Sequence, residues 1–575
     1  LVKDPAHEGP AVLHYRDIGD YLSREQKLAI IAELGSIQGI SDSIGWQQIT
    51  PDSFSDWLNQ RDDSFERFIS LGDKKDKGAL AVFENYSLGL GTNRDTWVYN
   101  YSISRLQKNM ADMIAFYNSE VKRFQEACQG LPENQWPQVQ NFISNDATKI
   151  SWSSSLLLKL EKGILASFNP EKIAVGMYRP FSKQFIYYDN MMNHRVGQMP
   201  SIFPSADAEN QVISVTGRGA KNGFSALMNN HIPDLNSMEA GAQCFPKDIF
   251  EEVEDRGSAS LSERANSEQR TANSEQRTAN SEHFTEALPG QPGYLSNSGR
   301  HQGLFGADGE RDSGLAPDWG RPMLSAVPLR GGRTMSQDSL FPQDEALPPK
   351  KKWVRRSAIS AAALAHFRAP YAPAEAAQIE REDIFYYIYG LLHSEEYRER
   401  FADNLSKELP RIPRVRSFAD FCAFNRAGRQ LAEWHLHYEN APLYGEVRLV
   451  GPLALTLTPT AILGGRDEDF RVEKMKFAKK GDKSRIVYND KITVENIPLA
   501  AYDYVVNGKA ALEWVMERQA VSTDKKSGIG NDANDWARET MHNPRYPLEL
   551  LLRLITVSLE TRKIVQSLPA LGDLL

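Results

Sequence analysis

Cysteine is scarce in this chain of 575 residues. The three cysteines, Cys128, Cys244 and Cys422, are odd in number and far apart. They therefore form neither a disulfide framework nor the paired spacing of a zinc knuckle. This use of cysteine favours a protein of the reducing cytoplasm.

Long hydrophobic runs are absent as well. The longest candidate spans 449–463 and is interrupted by Pro452 and Pro459, whereas a membrane helix needs about 18 apolar residues. We therefore expect buried strands here and no membrane span. The sequence begins at Leu1 without a signal peptide, and we interpret it as a fragment of a longer polypeptide.

Motifs of nucleotide-binding and base-modifying enzymes are missing. There is no glycine-rich phosphate loop and no strand followed by GxGxxG, so the pattern offers nothing to hold ATP or a dinucleotide. The Asn-Pro pairs at 169–170 and 543–544 lack the second proline and the aromatic residue of an amino-methyltransferase loop. The nuclease-like letters of 120–122 fall on an amphipathic helix. We predict no catalytic residue, cofactor site or metal ligand in the chain.

One histidine cluster leaves two interpretations open. The segment EWHLHYE at 433–439 places His435 and His437 beside two carboxylates. On a strand the two side chains could share a metal ion, whereas on a helix they point about 200° apart. The helical character of the preceding residues favours structural histidines.

The overall composition is that of an ordinary globular protein. Hydrophobic residues make up 41% of the chain and charged residues 25%. The length predicts two to four domains. A net charge of −8 argues against non-specific coating of nucleic acid, but it is compatible with a local basic groove.

Residues 251–355 differ in kind from their surroundings. They are poor in aliphatic residues, and ANSEQRT at 265–271 is repeated at 272–278 and echoed at 279–285. Alanine is the only apolar residue of the exact repeat, so it cannot supply a coiled-coil seam. We predict a disordered low-complexity insert, with a docking tail as the alternative. Its basic end, PKKKWVRR at 349–356, is a solvated linker edge, a phosphate contact or a targeting signal.

The rest of the chain alternates between helical and strand periodicity. We predict a helix after an N-cap at Ser23, a core-facing helix over 105–124, and several short strands between 172 and 228 that suggest a sandwich or barrel. Further helices and strands are predicted after the insert, ending in a long helix at 547–568 that is apolar on more than one face.

Aromatic, basic and amide residues occur together on turn-rich segments. Arginine and asparagine can pair with guanine and adenine edges, and aromatic rings can stack on bases. Our candidates for DNA contacts are Asn93, Arg94, Trp97, Tyr178, Arg179, Asn193, Arg195, Arg218, Lys221 and Asn222. The last three belong to TGRGAKNG at 216–223, which either holds a phosphate or only makes a turn.

The stretch GTNRDTWVYN at 91–100 is ambiguous by itself. Its first residues are typical of a turn and its last of a strand. Either the turn lifts Arg94 toward another molecule while Trp97 and Tyr99 anchor the strand, or Arg94 bonds nearby groups and pins the turn.

A series of ordered segments resembles the C-terminal part of type ISP restriction–modification enzymes, which are single-chain relatives of type I systems. The segments that carry the resemblance are 14–31, 91–100, 176–204, 213–235, 243–246, 382–413 and 505–519. The resemblance implies a bacterial phage-defence enzyme of the cytoplasm with a nuclease, an ATP-driven translocase, an adenine-N6 DNA methyltransferase and a final target recognition domain. Double-stranded DNA and the upstream domains would be its partners, and S-adenosylmethionine, ATP and Mg²⁺ would serve the full-length enzyme.

The resemblance also implies a division of the chain. Residues 1–135 would be a mixed connector after the methyltransferase core, and 136–250 and 356–575 would be the two parts of the recognition domain, separated by the insert at 251–355. We expect an α+β fold with a helical N-terminal connector, a β-rich recognition lobe and a helix-rich C-terminal lobe. Two alternatives stay open: a self-contained DNA methyltransferase or nuclease with diverged motifs, and a protein-interaction scaffold.

Overall fold

A computed structural model describes residues 12–20, 22–43, 45–76, 78–254, 351–572 and 574–575. The chain divides into two compact units, 1–251 with 353–575, and 252–352. The larger unit mixes helices and strands throughout, which confirms the α+β prediction. The interior of the predicted insert, 255–350, lies outside the described residues.

The helices vary from one turn to 26 residues. They are α1 Arg24–Leu34, α2 Ile37–Ser43, α3 Asp95–Val98, α4 Ile103–Cys128, α5 Val139–Phe142, α6 Ser154–Glu161, α7 Met199–Ile202, α8 Ala361–Arg368, α9 Pro373–Ala376, α10 Arg381–Leu391, α11 Glu395–Arg400, α12 Ala402–Lys407, α13 Phe418–Leu436, α14 Ala511–Arg518, α15 Ala533–Asp535 and α16 Tyr546–Gln566, with a π-helix at Trp536–Thr540.

The strands are short. They are β1 Leu13–Tyr15, β2 Gln47–Ile49, β3 Ile69–Ser70, β4 Ser87–Leu88, β5 Tyr99–Asn100, β6 Ile173–Arg179, β7 Ser182–Tyr187, β8 Val212–Val215, β9 Ala226–Asn229, β10 Ile232–Pro233, β11 Gln243–Pro246, β12 Asp248–Glu254, β13 Lys351–Ser357, β14 Arg411–Ile412, β15 Arg448–Val450, β16 Thr456–Leu457, β17 Ile462–Leu463, β18 Lys476–Lys479, β19 Asp482–Val487, β20 Thr493–Glu495, β21 Val505–Val506, β22 Lys509–Ala510, β23 Val521–Thr523 and β24 Gly530–Asp532.

Three four-stranded sheets organise the larger unit. Their strand orders are β10-β6-β7-β5, β4-β11-β8-β9 and β15-β20-β19-β18. The pairings are antiparallel except for β10 with β6, which is parallel. The strands predicted between 172 and 228 are therefore confirmed, and they belong to two different sheets.

The sheet β4-β11-β8-β9 is a wall between two hydrophobic cores. Along β9, Leu227 packs in one core while its neighbours Ala226 and Met228 pack in the other. On β11, Cys244 and Phe245 divide in the same way. Successive side chains of a strand point to opposite faces, so a strand that is buried on both faces is apolar without alternation. On β8, the neighbours Val212 and Ile213 pack in different cores, and the third residue of the strand is Ser214.

The first core is built around α4, which the sequence predicts correctly. Leu106, Met110, Met113, Tyr117 and Val121 form its buried stripe. The strands β5 to β7 and the helices α14 and α16 complete this core, so residues before and after the insert share it. The division into a connector and two recognition parts therefore stays a prediction, because the cores do not follow those boundaries.

The second core is centred on the crossing of α10 and α13. Gly390 and Gly428 meet there, and a Cβ atom on Gly428 would lie 1.8 Å from the Tyr386 carbonyl oxygen. Only glycine permits this close approach of two backbones. The predicted break near His393 is confirmed, and a third helix, α12, follows it.

Two predicted apolar segments form the expected elements but remain largely exposed. Ser23 caps α1 in a capping box with Gln26, as predicted, yet α1 has no buried residue and Leu28 and Ile31 face solvent. The run 449–463 forms β15 to β17, whose residues are mostly exposed or half-buried. Hydrophobic periodicity identified these elements but did not determine how deeply they pack.

The predicted disordered insert begins and ends inside paired strands. Strands β12 and β13 form a two-stranded sheet, so 251–254 and 351–355 are not disordered. Arg355 binds Asp248 at 2.5 Å, and Arg356 binds both Glu84 and Glu251. The arginines of the basic run are therefore used in ion pairs that fasten this ribbon. Within the described residues, no helix is long and apolar enough to cross a membrane.

Candidate functional site

A polar cleft of about 650 Å³ opens beside the turn at 91–97. Its other walls come from the loop 145–152, from Leu235 and Asn236, and from the tip of the β23–β24 hairpin at 524–527. A second pocket of about 320 Å³ adjoins it and shares Asp95, Thr96 and Asp524. We call the two together the recognition cleft.

The turn at 91–97 is rigid for local reasons. Gly91 exchanges two backbone hydrogen bonds with Arg195, of 2.9 and 2.8 Å. Asn93 adopts a left-handed backbone with φ of 55°, which asparagine tolerates better than most residues. The Thr92 hydroxyl donates to Asp95, and the next residues form the single turn α3. A helix therefore stands where the sequence predicts the start of a strand, and the strand begins only at Tyr99.

Arg94 is among the residues that line the recognition cleft, but only 3% of it is exposed. Its side chain is buried, with Nε donating to the Ser151 carbonyl, a terminal nitrogen to the Met192 carbonyl and the other to the Ser153 hydroxyl. Burial lowers the pKa of Arg94 to about 10. These bonds are those of the alternative in which Arg94 pins the turn, and a DNA contact by Arg94 stays a prediction. Trp97 is likewise buried, in the first core.

Arg179 holds two loops of the recognition cleft together. Its guanidinium pairs with Asp234 at 2.8 Å and with Asp95 at 3.7 Å, and it lies 4.0 Å from the centre of the Tyr178 ring. Most of the side chain is buried. Arg179 therefore positions the turn and the loop after β10 through its pairs with Asp95 and Asp234, and its DNA contact stays a prediction.

The Asp234 carboxyl group is almost fully buried beside Asp95. Burial, and then the neighbouring charge of Asp95, raise the pKa of Asp234 to about 7, against the opposing effect of Arg179. One oxygen accepts from Arg179 and from the backbone of Asn236, while the other has no hydrogen-bond partner among the described residues. The floor of the cleft at Leu235 and Asn236 thus lies next to a buried carboxyl group whose pKa is raised to about 7.

The remaining candidates divide between structural and exposed positions. Asn193 is buried and donates to the carbonyls of Tyr187 and Asp189, so its amide nitrogen is used within the fold, and its DNA contact stays a prediction. Arg195 has an exposed side chain next to the turn. Tyr178 is half-buried and lines the smaller pocket, and burial raises its pKa to about 12.

The loop 216–223 does not line the recognition cleft. Asn222 donates to Glu239, and the backbone of Gly219 donates to the Ser406 carbonyl. Arg218 and Lys221 are exposed. The loop is therefore a turn held by hydrogen bonds, and its two exposed cations, Arg218 and Lys221, are not part of the cleft lining.

Sequence reasoning missed the residues that line most of the cleft. Asn145 and Asn236 are exposed there and lie on loops without a recognisable motif. Lys526 is also exposed, at the tip of a hairpin. Its sequence, TDKKSG between two strands, carried a turn signal that could have identified it.

The histidine cluster has a structural role. His435 is buried on α13 and bonds Tyr389 at 2.6 Å and Thr561 at 2.9 Å. Burial lowers the pKa of His435 to about 3. His437 is exposed, so the helical interpretation is confirmed. In the described part of the chain, no group of three or more His, Cys, Asp or Glu residues could hold a metal ion.

Residues 81–550 match the family described as the Type ISP C-terminal specificity domain. Among solved structures, the chain is similar to a nuclease-deletion mutant of the Type ISP restriction–modification enzyme LlaGI in complex with a DNA substrate mimic. That likeness has 29% identity and a TM-score of 0.69, and covers 98% of this chain and 40% of that one.

Two further structures are similar. The ATP-dependent Type ISP enzyme LlaBIII bound to DNA matches with 28% identity and a TM-score of 0.70, over 100% of this chain and 28% of that one. The DrdV–DNA complex, at 23% identity and a TM-score of 0.63, matches over 97% of this chain and 43% of that one and supports the fold alone. The chain thus spans less than half of each. No curated protein matches it significantly.

Proposed function

The chain belongs to the Type ISP C-terminal specificity domain family, and on this premise we propose that it binds double-stranded DNA along the recognition cleft and reads a short sequence there. The observation that carries the proposal is a set of three exposed asparagines on one cleft. Asn93, Asn145 and Asn236 line it, and their side-chain amides have no partner among the described residues.

An asparagine amide can donate to and accept from one base edge at the same time, and it pairs in this way with adenine. A free amide on a rigid loop is suited to this contact because little conformational freedom is lost on binding. Asn93 is held by the turn that Arg94 pins, and the backbone N–H of Asn236 donates to the Asp234 carboxylate two residues before it. The buried side chains of Arg94, Arg179 and Asp234 would therefore act indirectly, by fixing the positions of these amides.

In the full-length enzyme, this reading would direct adenine-N6 methylation and ATP-dependent restriction by upstream domains. S-adenosylmethionine, ATP and Mg²⁺ would be bound by those domains, in a bacterial cytoplasmic enzyme that acts against phage DNA. The related type ISP enzymes in their DNA complexes support this assignment.

The proposal is tested by selecting bound duplexes from a randomised pool and measuring affinity for the selected and the scrambled sequence. Asn145→Ala and Asn236→Ala should each weaken binding of the selected duplex by about 1–3 kcal/mol and leave the scrambled duplex unaffected. Asn93→Gly removes the amide and keeps the left-handed backbone. Asn190→Ala, at an exposed asparagine outside the cleft, is the control. Affinity that is independent of sequence would refute the proposal.

A further inference from the structure

The hairpin formed by β18 and β19 carries exposed lysines that the described residues do not neutralise. Lys474, Lys476 and Lys480 are exposed and have no acidic partner there. Other cations of the same region are paired: Arg471 with Asp532 and Lys483 with Glu513. The unpaired lysines therefore stand out locally, in a chain whose net charge is −8.

The hairpin is fixed to the body of the protein on its other side. Phe477 lies 6.0 Å from the ring of Tyr502, and the Lys483 ammonium lies 5.0 Å from the same ring. The lysines consequently project from a supported ribbon.

The lysine hairpin also adjoins the recognition cleft. The backbone of Val521, at the start of β23, donates to the Glu473 carbonyl at 3.0 Å. From Val521 the strand reaches the cleft at Asp524 within about 10 Å, and Lys480 lies at most ~23 Å beyond Glu473, at about 3.3 Å per residue. These lengths are upper limits set by an extended chain, so the lysines lie within about one turn of duplex DNA, about 34 Å, of the cleft.

We propose that the β18–β19 hairpin is a phosphate-binding arm that holds duplex DNA flanking the sequence in the recognition cleft. This proposal rests on the proposed function and extends it to a surface that carries no base recognition. Lysine is suited to this task because it binds phosphate as a point charge. Such contacts position a duplex without reading it, and they add to the salt dependence of binding.

A structural explanation competes with this one. Strand β18 is at the edge of its sheet, and lysines on edge strands prevent pairing with another chain. That explanation requires no DNA contact. It predicts that removing the lysines promotes self-association and leaves DNA binding unchanged.

The test compares K476Q/K480Q with K122Q/K162Q, each of which removes two exposed lysines without an acidic partner among the described residues. Lys122 lies about 26 Å along α4 from Arg105, the end of the helix near β24. Affinity is measured on selected and scrambled duplexes from low to high salt. For K476Q/K480Q we expect the slope of log affinity against log salt to become shallower by about 2, with the same fold-loss on both duplexes.

A second readout uses duplex length. Adding about ten flanking base pairs, one turn, should strengthen binding of the unsubstituted chain and of K122Q/K162Q, and should have little effect on K476Q/K480Q. An unchanged salt slope in K476Q/K480Q, or an equal loss of DNA affinity in the control variant, would refute the proposal that the hairpin is a phosphate-binding arm. If the unsubstituted chain binds no duplex, the proposed function itself fails, so the two failures are distinguishable.

Discussion

Arg94 shows how a single side chain can be essential to a site without touching what the site binds. Its guanidinium joins the turn at 91–97 to the carbonyls of Ser151 and Met192. Without Arg94, both carbonyl oxygens lose this donor. A buried acceptor that loses a charged donor lowers the free energy of unfolding.

We predict that Arg94→Ala destabilises the fold by roughly 1–3 kcal/mol for each buried acceptor left without a partner and leaves the ratio of specific to non-specific DNA affinity unchanged in the molecules that remain folded. The melting temperature and the two affinities are measured below the transition. Arg94→Lys keeps the charge but loses the planar fork, so it should recover only part of the stability. A changed ratio at an unchanged melting temperature would place Arg94 in direct contact with DNA.

Asp234 gives a pH prediction. Its pKa is about 7 in the folded chain and its ordinary value is 3.8. Between these values the folded state keeps a proton that the unfolded state has released. The free energy of unfolding should therefore fall as pH rises from about 4 to about 7, by at most ~4 kcal/mol from this group.

The measurement is urea unfolding at several pH values for the unsubstituted chain and for Asp234→Asn. The asparagine keeps an acceptor for Arg179 and cannot ionise, so it should remove the Asp234 contribution. Subtracting the two curves cancels the other titrating groups. Identical pH dependence in both proteins would contradict a neutral Asp234.

The sequence pattern indicated the exposed Asn93, but it did not reveal where the side chain of the adjacent Arg94 lies. One physical reason explains both outcomes. Turn chemistry identifies which backbone is left-handed, but it does not reveal which distant carbonyls a long side chain will meet. The acceptors of Arg94 lie 57 and 98 positions away. Asn145 and Asn236 were missed because the cleft that unites them exists only after folding.

At the scale of elements, hydrophobic periodicity predicted the long helix α4 correctly but not the single turn α3. The stripe of α4 was correct because a long amphipathic helix repeats its signal many times. The single turn α3 was taken for a strand because four residues are too few to establish a period, and the Thr92–Asp95 contact decides their conformation.

The crossing of α10 and α13 provides an element-scale prediction. Added Cβ atoms at Gly390 and Gly428 would lie 2.2 Å and 1.8 Å from backbone oxygens of the facing helix. Gly390→Ala and Gly428→Ala should therefore each force the helices apart and lower stability by more than the ~1–3 kcal/mol typical of an overpacked core. Gly445→Ala, which meets nothing within 4 Å, should be nearly neutral. Chemical denaturation compares the three variants, and an equal effect of all would exclude this crossing as the cause.

At the scale of the whole molecule, the β12–β13 ribbon is held by ion pairs between residues of the larger unit. Arg355 and Arg356 bind Asp248 and Glu251 across the two strands. We predict that replacing 255–350 with a short glycine-containing turn leaves the melting temperature within a few degrees of the original. Calorimetry of the shortened and full chains provides the comparison. A large loss would mean that the removed residues support the cores.

The pairing of β3 with β14 means that part of the fold can form only late in synthesis of the chain. Ile69 and Ile412 are partners, so after Ile69 another 343 residues must be synthesised, the last of them Ile412 itself. At about 5–20 residues per second this takes roughly 17–70 s. The last strand of the wall sheet, β11, ends at Pro246 and α13 ends at Leu436, so the sheet can form roughly 10–38 s before its face toward α10 and α13 is covered. Each nascent chain therefore carries an uncovered apolar surface far longer than the milliseconds to seconds in which small domains fold, and its yield in the cell will depend on chaperones that shield this face.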